Sequence, residues 1–139
     1  MKIIIGYPPL KSEKGIPLLS QNRQFQWFHH PTYIYPVIPA YAATLLKKAK
    51  HQVFWLDGIA ENWDYQKWLK EVKKIKPDLI LMETKTPVVK KHWQIVNDLK
   101  KQVKGLKVVL VGDHVTALPR ESFLKSNLWH LDTMVAGIL

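Results

Sequence analysis

The chain of 139 residues is long enough for one domain, and at that size it buries roughly two-thirds of its unfolded surface. It contains no cysteine, which excludes disulfides, thiolate zinc sites, cysteine nucleophiles and cysteine-held iron–sulfur clusters. The net charge of +10 leaves open an acidic partner beside the plainer reading of solvated helix faces, and no apolar run nears the roughly 20 residues of a membrane span.

Short apolar runs alternate with helical patterns from one end to the other, which predicts a parallel sheet covered on both faces. Lys2 to Gly6 reads as the first strand, since its apolar run is too short for a signal peptide and meets prolines. From Tyr7 to Tyr35 runs a segment far longer than the usual two to six residues of a strand-to-helix loop. It is stiffened by Pro8, Pro9, Pro17 and Pro31 and carries Phe25, Trp27, Phe28, Tyr33 and Tyr35. Such a loop on the ligand edge of a sheet is usually functional, and a packed cap over the core is the alternative. A first helix is predicted over Val37 to Lys50, with Pro39 tolerated in its opening turn.

Gln52 to Asp57 forms the second strand, followed by a helix over Asn62 to Lys74 with Tyr65, Trp68, Leu69 and Val72 on one face. Asp78 to Glu83 is the third strand. The third helix, Pro87 to Lys104, places Val89, Trp93, Val96, Leu99 and Val103 on one stripe. Lys107 to Gly112 is the fourth strand, Pro119 to Lys125 a short helix and Asp132 to Ala136 the fifth strand. The expected fold is therefore α/β, a five-stranded parallel sheet with helices on both faces, occupying residues 1–139 as a single domain. No helix follows the fifth strand, which reads as a truncated chain or as a strand completed by another element.

Ligands of open parallel sheets bind beside the carboxyl ends of the strands. Three loops fall there: Tyr7-Pro8-Pro9, then Glu83-Thr84-Lys85-Thr86, then Gly112-Asp113-His114-Val115-Thr116. Neither the G-x-G-x-x-G fingerprint of dinucleotide sites nor the G-x-x-x-x-G-K-[ST] loop is present, and there is no G-x-S-x-G elbow. His114 stands at a strand end and is a candidate to line the site. His29 and His30 read as an exposed pair, His51 as structural, and His92 and His130 as surface or helix positions. Asp57, Glu83 and Asp113 are the carboxylates of that edge, and no nucleophile or metal set accompanies them. No catalytic residue and no metal ligand is assigned.

These loops carry a resemblance. Gly6-Tyr7-Pro8-Pro9 is similar to a strand ending in an N-P-P-like turn, and Tyr35-Pro36-Val37-Ile38-Pro39 to a proline-aromatic approach to the first helix. Ala49-Lys50-His51-Gln52-Val53 resembles A-G-H-x-V, and Asp57 follows it. Lys76-Pro77-Asp78-Leu79-Ile80 fits the approach to the third strand. Val111-Gly112-Asp113-His114-Val115-Thr116-Ala117-Leu118-Pro119 resembles G-G-x-H-x-T-x-x-P. In this order, over nearly the whole chain, they resemble the N-terminal cobalamin-binding domain of cobalamin-dependent radical S-adenosylmethionine enzymes.

The resemblance implies a flavodoxin-like, Rossmann-type three-layer sandwich with its five strands in the order 2-1-3-4-5 and the corrin over their carboxyl ends. It implies cofactor contacts from Tyr7, Pro8 and Pro9 beneath the ring, from Thr84 and Thr86 toward the nucleotide tail, and from Gly112, Asp113, His114 and Thr116. The D-x-H-x-x-G motif that gives cobalt a histidine in other cobalamin domains is absent, and Asp113 replaces the usual second glycine. S-adenosylmethionine and an iron–sulfur cluster would belong to a missing or partner radical domain, so the chain is not an enzyme by itself. Its expected partners are cobalamin and that domain or subunit, with a cytoplasmic location and no membrane; nucleic acid is the weaker candidate. Two other functions fit the same fold. One is a regulatory domain binding an acidic partner, and the other is a flavin or nucleotide binder supported only by fold analogy.

Overall fold

The computed structural model describes residues 1–19, 25–30 and 35–126. Its centre is β1, Lys2–Tyr7, in which Ile3, Ile4 and Ile5 are almost fully buried because both faces of the strand are covered. β1 pairs in parallel with β4 (Gln52–Asp57) on one side and with β5 (Leu79–Glu83) on the other. β6, Lys107–Val111, continues the sheet beyond β5 in the same sense. The order β4-β1-β5-β6 is the 2-1-3-4 part of the expected arrangement, within an α/β fold of alternating strands and helices. The expected fifth strand, Asp132 to Ala136, lies outside the described residues.

Helices cover the sheet on both faces. α2 (Tyr65–Ile75) and α3 (Val89–Gln102) pack Trp68, Leu69, Val72, Val96 and Leu99 against Ile4, Leu56, Ile80, Met82, Val108 and Leu110. The stripe on α2 matches the predicted spacing, and the Nε1–H of Trp68 donates to the Leu56 carbonyl at 3.2 Å, so this fully buried indole leaves no unpaired donor. The helix begins three residues later than expected. Asp64 accepts from the backbone N–H of Lys67 at 2.7 Å as its N-cap, and Asn62 is in the left-handed region at φ 51°. α1 (Val37–Lys48) covers the opposite face, with Ala43 and Leu46 packed toward Ile5 and Val53.

The long segment after β1 is partly a structure of its own. β2 (Ile16–Leu18) and β3 (Gln26–Phe28) form an antiparallel hairpin, with Pro17 opposite Trp27. Leu10, Leu19, Phe25 and Trp27 pack onto Ile5, Tyr7 and Val88, and the rings of Phe25 and Trp27 meet edge to face at 5.3 Å. Its described aromatic residues therefore include part of the cap over the second sheet face. His29, His30 and Tyr35 are exposed, and Tyr33 lies outside the described residues.

Each long helix runs back to the amino edge of the sheet, where the next strand starts. Lys47 and Lys48 end α1, Lys73 and Lys74 end α2, and Lys100 and Lys101 end α3. The lysine runs are thereby gathered at the negative ends of three helix dipoles, which accounts for their placement electrostatically. Among the described residues, no helix is long and apolar enough to cross a membrane.

Candidate functional site

The chain leaves β1 toward β4 on one side and reaches β5 on the other, so the switch point of the sheet lies between β1 and β5. The carboxyl ends of these strands are where an open α/β sheet takes a ligand. The loops after β1, β5 and β6 meet at this edge, which brings the three sequence-predicted segments together.

Tyr7 spans the switch point. Its hydroxyl donates to Glu83 Oε2 at 3.0 Å, and its ring lies 5.8 Å from that of Trp55. Burial raises the titration of Tyr7, and Glu83 adds to the rise. Burial raises Glu83 as well; the Tyr7 hydrogen bond and the Lys85 charge oppose that rise, while Asp113 reinforces it. Tyr7→Phe removes a stabilising donor, so the Glu83 carboxyl is expected to titrate at still higher pH than in the parent chain. A carboxyl carbon NMR titration checks this, and an unmoved or lowered midpoint would contradict it.

The loop after β5 divides its side chains between interior and surface. Thr84 is fully buried, with Oγ1 2.7 Å from Nδ1 of His92 and its backbone N–H on the Val111 carbonyl at 2.8 Å. His92 was expected at a surface or helix position; it is on α3 but has no exposure. It stands three residues after Val89 and four before Val96, which puts it on the core face of the helix. Burial lowers its pKa from 6.5 to about 4, so the ring is neutral at physiological pH. Lys85 is buried too, and its Nζ meets Asp113 Oδ2 at 3.1 Å, an ion pair with one buried and one exposed partner. Thr86 is exposed and its Oγ1 lies 3.2 Å from Nδ1 of His114.

After β6 the chain turns at Gly112 into the short helices α4 (Asp113–Ala117) and α5 (Pro119–Lys125). α4 was not expected. Gly112 has φ 118°, and a Cβ placed on it would stand 2.2 Å from the Thr84 carbonyl oxygen. The glycine is demanded by a close approach inside the protein, between the β5 and β6 loops, as well as by its backbone conformation. His114 is buried against the edge of Trp93, ring centroids 5.7 Å apart, and its Nε2 sits 3.6 Å from Glu121, too far for a hydrogen bond. Thr116 is exposed and donates to the Gly112 carbonyl at 2.9 Å.

Tyr7, Pro8, Thr84 and His114 are thus buried, Pro9 and Gly112 half-buried, and Thr86, Asp113 and Thr116 exposed. Asp57 closes the neighbouring turn, accepting from the backbone N–H groups of Ile59 and Ala60 at 3.1 and 2.9 Å. Burial raises its titration against those two bonds. Beside the Pro9 turn an open cleft of about 330 Å³ is lined by Pro9, Leu10, Tyr65, Lys91, Ile95 and Asp98, with Tyr65 donating to Asp98 at 2.6 Å. The Glu83–Lys85–Asp113 arrangement was legible only as separate loop residues, because nothing in a linear sequence shows that Lys85 turns inward. Among the described residues, no three His, Asp or Glu side chains gather as metal ligands would.

The edge presents hydroxyls, a carboxylate and backbone groups around a narrow turn, with the Thr86 hydroxyl beside the His114 ring. No family model matches the chain, and neither a curated protein nor a solved structure matches it. The structure itself defines an α/β domain built on a parallel four-stranded sheet, with a polar network across its switch point.

Proposed function

We propose that the chain is a cofactor-binding module of flavodoxin-like architecture that holds a corrinoid over the carboxyl edge of its sheet. The observation that carries this reading is the convergence of the Tyr7, Thr84 and Gly112 loops on the switch point. The motifs on which the resemblance rests are scattered through the sequence, and three of them share this one edge.

A large, flat ligand would sit over the edge rather than in a cavity. Thr86, Asp113 and Thr116 are solvent-facing around Gly112, where the lack of a side chain keeps the loop close to the β5 end. Thr86 would donate to the polar periphery or phosphate of the ligand, while Thr116, whose O–H is held by the Gly112 carbonyl, and Asp113 would accept from its amide groups. Tyr7 and Thr84 act one layer below: Tyr7 fixes Glu83 and Thr84 fixes His92, which holds the two loops in place. The cleft of about 330 Å³ is too small for a corrin ring. A corrinoid bound here would supply alkyl transfer at cobalt, with the protein giving orientation and exclusion of competing reactions. Radical chemistry would need a partner domain, because the chain lacks cysteine.

Replacing the exposed hydroxyls tests the proposed contacts. Thr86→Val with Thr116→Val is expected to weaken hydroxocobalamin binding about tenfold, the loss of one or two hydrogen bonds to a ligand. The variant also loses the Thr86 contact to buried His114 and the Thr116 bond to Gly112, so its thermal midpoint should fall and affinity is compared well below that midpoint. Unchanged affinity in that variant would place the ligand elsewhere.

A further inference from the structure

β4 is the outer strand of the sheet, and among the described residues it pairs only with β1. Exposed edge strands invite pairing, and proteins usually blunt them with lysine, proline or a bulge. β4 reads Gln-Val-Phe-Trp-Leu-Asp and has none of these. A groove of about 650 Å³ runs along it past Val53, Phe54, Trp55 and Leu56, and Trp55 remains 39 % exposed. The N–H groups of Gln52 and Gly58 point to β1, so the alternation of the strand aims those of Val53, Trp55 and Asp57 outward.

The charge along this edge is polarised. Lys50 stands at its amino end, where Lys74 is already paired with Glu71 at 3.7 Å, while Glu61 and Asp64 stand at its carboxyl end. A second strand added in parallel would set like charges side by side. An antiparallel copy would set each end against its opposite. Residues paired directly across two antiparallel strands point to the same face, so a two-fold axis passes through a residue rather than between two. With the axis at Trp55, Val53 faces Asp57 and Trp55 faces Trp55 of the other copy, and the Lys50 end of one strand lies at the Glu61 end of the other.

We propose that β4 is a self-association edge through which two copies of this chain join antiparallel into one continuous sheet, with Trp55 at the two-fold axis. Sedimentation equilibrium of the chain at about 0.15 M salt tests this, since near-neighbour charges still act at that screening length. A dimer is expected at about 10–100 µM. Trp55→Lys places a charge on the axis and should leave a monomer. Because Trp55 also touches Tyr7, a second pair of variants tests the geometry at exposed positions. Glu61→Lys should weaken the dimer about fivefold, and adding Lys50→Glu should restore it. A monomer up to about 1 mM, a dimer indifferent to Trp55→Lys, or a charge exchange that fails to restore association would each overturn the proposal.

Discussion

Gly112→Ala is expected to destabilise the domain by about 3 kcal/mol, measured as the loss of unfolding free energy in urea. Two costs add. At φ 118° an L-residue is strained, and its Cβ would stand 2.2 Å from the carbonyl oxygen of Thr84. That oxygen belongs to backbone held by the Thr84 N–H on Val111, so it cannot swing away cheaply. Gly105 supplies the control. It also has a positive φ, 79°, but a Cβ there meets nothing within 4 Å. Gly105→Ala should therefore cost about 1 kcal/mol, the conformational part alone. Equal losses in the two variants would show that the loop-to-loop approach at Gly112 contributes nothing.

The second large effect is acid sensitivity through His92. Its folded pKa is depressed from 6.5 to about 4 by burial, so below 6.5 the unfolded chain takes up a proton that the folded chain refuses. The neutral ring's contribution is complete above pH 6.5 and is lost as the pH falls toward 4, by up to about 3 kcal/mol. Glu83 and Asp57 act in the opposite sense, because burial raises both and protonation relieves them. The comparison with His92→Asn isolates the histidine. The variant is less stable at pH 7, but its deficit should shrink steadily between pH 6.5 and 4. A deficit constant with pH would mean that His92 is not held neutral.

Much of the frame was legible because its signals are periodic. The β1, β4, β5 and β6 runs are apolar and bounded by lysine, glycine or proline, and α2 and α3 carry stripes at spacings of three and four. The β2–β3 hairpin escaped because its strands are three residues long, too short for an alternation to register. α4, with five residues, escaped for the same reason. His92 was misplaced by residue type: histidine is usually exposed, yet its position between Val89 and Val96 was the better guide. At the edge itself, the strand-end loops could be placed from the sequence, but not the direction of their side chains. Thr84 and Thr86 are two residues apart, and one is sealed in the core while the other faces solvent. A strand pleat would put residues two apart on one face, so the division comes from the chain leaving β5 after Glu83 and from the buried partner His92, neither of which a loop motif contains.

The measurement that bears most directly on the proposed function is a titration of the chain with hydroxocobalamin and with cob(II)alamin, read by visible absorbance and tryptophan quenching, with flavin mononucleotide as comparator. The account predicts saturable binding of the corrinoid with a base-off spectrum, since no D-x-H-x-x-G histidine is present to ligate cobalt, and no comparable binding of the flavin. No corrinoid binding up to about 1 mM, or preferential binding of the flavin, would contradict it.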